Sequence, residues 1–416
     1  MGGPGSQPMF GPHPTLRFAD VVRRKPDNDE FASPGQELSF TYNARAALFQ
    51  LLRVMPDSQG KTILLPAFHC TTVVEPVLYS GFHPVFYRIN KDLSINANDL
   101  AAKISNDVSA VLVINYLGFQ AAIECVRELQ GRHDFYIVED CAHSFLVCKE
   151  GNARLAACRG DMGLYSFYKT VPCFAGGALR INARRFSFHP SSSNVGLKQS
   201  VVILKRLLEQ VVDNSRDGVL KSTLQSLERR RISRKKRNLP DADDLPGRGD
   251  KPRSWRHDLA SASMPWFCRS ILARSPLTEI AARRRRNYAL FDAHLKEHSG
   301  LKKLFPVLPE DVCPWAYPVL LADRSAHDHL LRERGVPLFT FGEALHPNVE
   351  QCDEDTREDA RYLSEHLLLF AVHQNFDPAD ILGFVRSINS FFEGMEADPQ
   401  LHPSDRPLNH ATRSTA

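Results

Sequence analysis

Two neighbouring stretches decide the fold: Y-I-V-E-D-C-A-H-S-F, residues 136–145, and G-D-M-G-L-Y-S-F-Y-K-T-V-P-C-F-A-G-G-A-L, residues 160–179. In the first, the apolar run Phe135–Val138 leads straight into Glu139 and Asp140. A short continuous apolar run reads as a strand buried on both faces. Its carboxyl end is where open α/β sheets bind their ligands, so two acids there form a candidate site. The second stretch reads as a strand, Leu164–Phe167, then a lysine at 169, then Gly176-Gly177 turning into a further strand over Ala178–Ile181.

The same pattern extends outward. Ile63–Leu65, Val85–Ile89 and Val108–Ile114 read as strands, with helices expected at Ala44–Val54, Thr72–Ser80, Asn98–Ile104 and Ala121–Leu129. Strand–helix alternation at this spacing predicts an α/β fold with a mainly parallel sheet. Beyond Phe186 the pattern changes. Val201–Val212 reads as an amphipathic helix with Val201, Leu204, Leu207, Leu208 and Val211 on one stripe. Val219–Leu227 reads as its continuation, and the basic run Arg229–Arg237 with the Pro/Asp/Gly-rich stretch to Pro252 reads as a solvated insertion. A second α/β unit follows, with helices at Leu277–Leu295, Ala326–Arg334, Asp359–Leu369 and Pro378–Phe392 and a strand at Tyr317–Leu321. Arg283–Arg286 falls on the first of these and reads as a solvated ridge. The expected organisation is an N-terminal extension (1–35), a large domain (36–276) with an insertion at about 187–252, a small C-terminal domain (277–396) and a disordered tail (397–416).

Composition narrows the function. The chain has 416 residues, 43% hydrophobic and 24% charged, with 52 basic and 48 acidic side chains. That balance disfavours nucleic-acid binding as the main role. No apolar run of roughly 18 residues would span a bilayer. The nine cysteines form no C-x-x-C pair, so no metal site is expected; free thiols in a reducing compartment, and hence a cytoplasmic protein, are the expectation.

An Asp at a strand end, with Ser and Lys 26 and 29 residues later, is what pyridoxal phosphate needs. The lysine forms a Schiff base, the Asp holds a proton on the ring nitrogen, and the serine and a helix N-terminus hold the phosphate. At this point the chain resembles the DegT/StrS-type nucleotide-sugar aminotransferases, members of the fold-type I pyridoxal-phosphate enzymes. The resemblance rests on Y-N-A-R-A-A-L (42–48), L-P-A-F-H-C-T-T-V-V-E-P-V-L-Y-S-G-F-H-P-V-F (65–86), Glu139–His143, Gly160–Phe167 and a lysine seven residues before Gly-Gly, in the family's order. It implies Lys169 as the Schiff-base lysine, Asp140 as the ring-nitrogen partner and His143 beside the ring. It places Ser166 and the Asn43, Ala44, Arg45 turn on the phosphate, and His69 or Cys70 against the ring face, His69 being the flatter group. Fold-type I architecture (aspartate aminotransferase-like) implies a homodimer. The implied reaction passes an amino group from an amino-acid donor, glutamate by resemblance, to a keto sugar or related carbonyl metabolite. A non-transaminating enzyme on the same cofactor and a non-catalytic scaffold are the alternatives; the dehydratase relatives carry histidine where this chain has Lys169. The chain departs from the family in three ways. Lys169 lies about two residues closer to Ser166, no G-x-N-x-R block is present, and 187–276 is divergent and basic.

Overall fold

The structure is a computed structural model that describes residues 13–22, 38–55, 60–182, 193–213 and 256–397. In chain order the first part comprises α1 (Phe18–Val22), β1 (Leu38–Thr41), α2 (Ala44–Leu52), β2 (Thr62–Pro66), α3 (Val74–Tyr79), β3 (His83–Tyr87), α4 (Ala97–Lys103), β4 (Val108–Ile114) and α5 (Glu124–Gln130). It continues with β5 (Tyr136–Cys141), the hairpin β6 (Leu146–Lys149) and β7 (Asn152–Leu155), β8 (Met162–Ser166) and β9 (Gly177–Ile181). Helices α6 (Leu197–Asp213), α7 (His257–Ala260), α8 (Trp266–Arg274) and α9 (Leu277–His294) connect to a second part. That part holds β10 (Leu301–Lys303), β11 (Ala316–Leu321), α10 (Arg324–Glu333), β12 (Leu338–Phe339), α11 (Glu354–His366), β13 (Leu367–Ala371) and α12 (Pro378–Ala397).

Seven strands form the main sheet in the order β1-β9-β8-β5-β4-β2-β3. From β3 to β8 every pairing is parallel; β9 and β1 complete the other edge antiparallel. Strands β2, β4, β5 and β8 are buried at every position, which is why their sequences run apolar without alternation. The chain places β3 on one side of β2 and then returns to place β4 on the other. This switch of direction opens a crevice at the carboxyl ends of the central strands.

The second sheet is antiparallel, in the order β10-β11-β13-β12. Here the structure corrects one expectation. The helix read over 359–369 ends at His366, and L-L-L-F-A at 367–371 is a central strand paired on both sides. Five consecutive apolar residues carry no periodicity, so the sequence alone does not separate a buried strand from the end of a helix. Where it is described, the N-terminal extension packs on the rest of the molecule. Leu16 is buried, its N–H donating to Gln210 Oε1 at 3.0 Å, and Thr15 exchanges hydrogen bonds with Asn375 at 3.3 and 3.0 Å. The expected stripe on α6 is split: Ile203 and Leu207 face the core, while Leu197, Val201, Leu204 and Leu208 are exposed. Residues 219–227 and 229–237 lie outside the described residues.

One apolar cluster runs from β2, β4 and β5 through Tyr288 and Phe291 of α9 into β11, β13 and α12. The two sheets therefore share a core. Among the described residues, no helix is long and apolar enough to cross a membrane.

Candidate active site

Glu139 and Asp140 are consecutive on β5 and so face opposite sides of the sheet. Glu139 is a brace. It accepts from Asn115 Nδ2 at 2.9 Å, from the Arg159 and Gly160 N–H groups at 2.6 and 3.1 Å, and pairs with Arg159 Nη2 at 3.1 Å. Asp140 faces the crevice. Its Oδ1 accepts the Ala142 N–H at 2.8 Å. Burial pushes its pKa up, while the nearby Lys169 ammonium and the Ala142 N–H act in the opposite direction.

Lys169 ends the single 3₁₀ turn Phe167–Lys169 that follows β8. Its Nζ lies 5.0 Å from the centroid of the Trp315 ring. The same indole stacks on His143, centroid to centroid 4.0 Å. His143 Nδ1 accepts the Leu117 N–H at 3.3 Å, so the neutral imidazole carries its proton on Nε2. Burial, and then the charge of Lys169, hold the His143 pKa well below the usual histidine range. The turn that supplies this N–H is strained: Leu117 has φ 59°, a left-handed conformation that costs an L side chain about 1–2 kcal/mol. Its carbonyl in turn accepts the Trp315 N–H at 2.8 Å. Leu117 thus holds the His143 ring and the Trp315 backbone from its main chain.

The N-terminus of α2 reaches the same crevice. Thr41 and Ser166 both pair across Gly177, which places the end of β1 and the end of β8 on either side of that glycine. A Cβ at Gly177 would sit 2.3 Å from the Asn43 carbonyl carbon and 2.5 Å from the Ala44 nitrogen. Only glycine lets the helix approach so closely. Asn43 caps α2, its Oδ1 accepting the Ala46 N–H at 2.8 Å. The first-turn N–H groups of Ala44 and Arg45 have no partner within the helix. Ser166 Oγ is buried and has no hydrogen-bond partner among the described residues. The Arg45 guanidinium pairs with Glu75 at 3.1 Å.

Asp140, His143 and Lys169 thus meet in the crevice, with Ser166 and the Asn43–Arg45 turn beside them. His69 is placed differently. It is fully buried with its ring stacked on Phe86 at 5.0 Å, and its Nδ1 lies 3.0 Å from both the Pro66 and Ala67 carbonyls. Cys70 is half-buried with Sγ 3.0 Å from Thr72 Oγ1. Sequence reasoning missed Trp315 altogether; it stands in C-P-W-A-Y far along the chain, outside any local motif. It also misread Arg283–Arg286. Arg284 is buried, Arg285 donates to the Pro309 and Val312 carbonyls at 2.6 Å, and Arg286 donates to the Phe376 carbonyl at 3.0 Å. Four consecutive arginines point around the helix, and the faces they meet are tertiary facts that the local pattern does not carry.

Residues 37–189 match the model of the DegT/DnrJ/EryC1/StrS aminotransferase family. Among curated proteins, the chain is 27% identical over 144 residues to GDP-perosamine synthase of Vibrio cholerae, covering 34% of this chain and 39% of that one. It is 26% identical over 132 residues to a UDP-N-acetyl-3-dehydro-alpha-D-glucosamine 3-aminotransferase of Acidithiobacillus ferrooxidans, covering 32% and 35%. The chain therefore spans less than two-fifths of the length of these relatives. Among solved structures it resembles PseC of Helicobacter pylori, an aminotransferase involved in pseudoaminic acid biosynthesis. The TM-score is 0.62 with 15% identity, over 92% of this chain and 98% of that one. TlmJ of Streptoalloteichus hindustanus, an aminotransferase, gives a TM-score of 0.60 with 19% identity over the same shares. Through residues 37–189 the chain is similar to the DegT/DnrJ/EryC1/StrS aminotransferase family, and over nine-tenths of its length it shares the fold of these aminotransferases.

Proposed function

We propose that the chain is a pyridoxal-phosphate-dependent aminotransferase acting from an amino-acid donor, such as glutamate, on a keto sugar or related carbonyl metabolite. The observation that carries this reading is the meeting of Asp140, His143 and Lys169 beside the N-terminus of α2. The residues fit the cofactor. The orphaned Ser166 hydroxyl and the first-turn N–H groups of α2 suit a phosphate, since a helix N-terminus favours an anion. A buried carboxyl at Asp140, pushed towards its neutral form, suits a cationic nitrogen that restores its charge. When bound, pyridoxal phosphate supplies a carbonyl for the donor's nitrogen and a ring that withdraws electrons from the neighbouring carbon.

The chain's own groups divide the remaining work. Lys169 Nζ anchors the cofactor and, once released, carries the proton between the two carbons that exchange it. Asp140 holds the ring nitrogen protonated. His143, kept neutral by burial, would stand beside the ring with Nε2–H free to donate. Trp315, stacked on His143 and beneath Lys169, excludes water from one side of the lysine. We further read the chain as a cytoplasmic homodimer, in line with the fold type and with nine cysteines that are all free thiols.

The test is direct. Purified protein supplied with pyridoxal phosphate should take on a visible band that bleaches with glutamate, and borohydride reduction followed by peptide mapping should place the pyridoxyl group on Lys169. A colourless protein that takes up no cofactor, or a label on another lysine, would refute the assignment.

A further inference from the structure

Arg284 is the largest fully buried side chain of the molecule's described part, 1% exposed, and no carboxylate pairs with it among the described residues. An isolated buried charge is costly unless its donors are met. Here they are met by three separate segments of the candidate site. Nη2 faces the Lys169 carbonyl at 3.5 Å, Nη1 lies 3.3 and 3.2 Å from the Pro314 and Trp315 carbonyls, and Nε donates to Gln374 Oε1 at 3.0 Å. Gln374 then donates from Nε2 to the Thr170 carbonyl at 2.8 Å. The lysine-bearing turn is therefore gripped twice, at residue 169 by the Arg284 guanidinium and at 170 by the Gln374 that the guanidinium holds, and Trp315 once, by the same guanidinium. An apolar side chain would fill the same volume without this cost, so packing alone does not account for an arginine here.

We propose that Arg284, with Gln374 as its extension, is a positioning residue that fixes the Lys169 turn against Trp315 and so sets where Nζ stands relative to Asp140 and His143. The inference rests on the aminotransferase reading. Guanidinium geometry suits the role: its planar fork serves acceptors in several directions at once, which an ammonium on a flexible stem cannot do. The grip is through main-chain carbonyls, so Arg284 itself touches neither substrate nor cofactor.

Arg284→Met keeps the volume and removes the donors; Arg284→Lys keeps the charge. In holoenzyme, Arg284→Met should bind pyridoxal phosphate and leave the donor's KM within about threefold, while the donor half-reaction slows by roughly 10- to 100-fold, as a displaced reacting atom does. The pH midpoint of the visible band should move in the same variant, and Arg284→Lys should restore part of the rate. In cofactor-free protein, amide hydrogen exchange should quicken in peptides covering 167–171 and 313–316, with 108–114 unchanged. Wild-type half-reaction rate and pH midpoint in Arg284→Met would overturn the proposal. Should Arg284→Met fail to fold, Gln374→Leu decides by the same readouts, unchanged values again overturning it. If the wild type takes up no cofactor, the aminotransferase reading fails; the exchange experiment on cofactor-free chain then decides the grip by itself, and no local quickening refutes it.

Discussion

Asp140 shows how one side chain's surroundings set its chemistry. Its Oδ1 is occupied by the Ala142 N–H and its carboxyl is buried, so an amide of the same shape keeps the hydrogen bond and loses only the charge. Asp140→Asn should therefore fold as the wild type does, yet lose about 100-fold or more in the donor half-reaction, the size expected when a preorganised charge is removed. Single-turnover spectroscopy reads this, and near wild-type turnover would take Asp140 out of the site. His69 illustrates the opposite case, a histidine spent on stability. Burial drives its pKa from 6.5 down to about 4, outweighing its backbone hydrogen bonds. The unfolded chain then binds the extra proton between these values, so the contribution of His69 is complete above pH 6.5 and is lost as pH falls towards 4. At about 1.4 kcal/mol per unit this amounts to about 3 kcal/mol. His69→Asn, which retains a donor near the Nδ1 position, should flatten the fall in urea-unfolding free energy over that window. An unchanged pH slope would show that another group carries it.

At the scale of elements, what the sequence made legible was what local pattern determines. The runs 62–66, 108–114 and 162–166 announce themselves because strands covered on both faces are largely apolar, and the acids at 139 and 140 mark the carboxyl end of the strand 136–141. Strand β1 and the central strand β13 escaped. L-S-F-T is too short to show a period, and L-L-L-F-A follows α11 with no turn residue between them. The site divides in the same way. Asp140, His143, Ser166 and Lys169 stand within thirty residues of one another in sequence. Trp315, Arg284 and Gln374 are brought in by the second sheet and by α9, so only tertiary structure reveals them. Gly177 belongs to the first group, since a Gly-Gly turn is visible, but its reason is spatial. Any side chain there meets the backbone of Asn43 and Ala44 rather than a movable group. Gly177→Ala should push the N-terminus of α2 away from β9, costing about 1–3 kcal/mol and weakening pyridoxal phosphate binding at least tenfold. Fluorescence titration with the cofactor measures this; unchanged affinity would show that α2 does not contact the phosphate.

For the molecule as a whole, the question is whether the parts on either side of residue 276 behave as separate units. Their junction is densely made. Phe119 packs against Phe305 with centroids 4.5 Å apart, and Arg88 bonds Asp359 at 2.7 Å. Gly118, at φ 103°, lies so close to the second part that a Cβ would come within 2.5 Å of the Cys313 carbonyl oxygen. The N-terminal strap adds a further tie: its Leu16 is buried against the first part beside α6, while Thr15 and Arg17 bond Asn375 in the loop after β13. Shared apolar core and bridging hydrogen bonds of this kind couple the unfolding of both parts, because opening one exposes the buried face of the other. Calorimetry on the full chain should therefore give one transition. Leu16→Ala removes a buried side chain from the strap and should lower stability by about 2–5 kcal/mol. The loss should shift the whole transition to lower temperature. A second, separate transition, in the wild type or released by Leu16→Ala, would mean that the two sheets fold independently and that the strap stabilises only one of them.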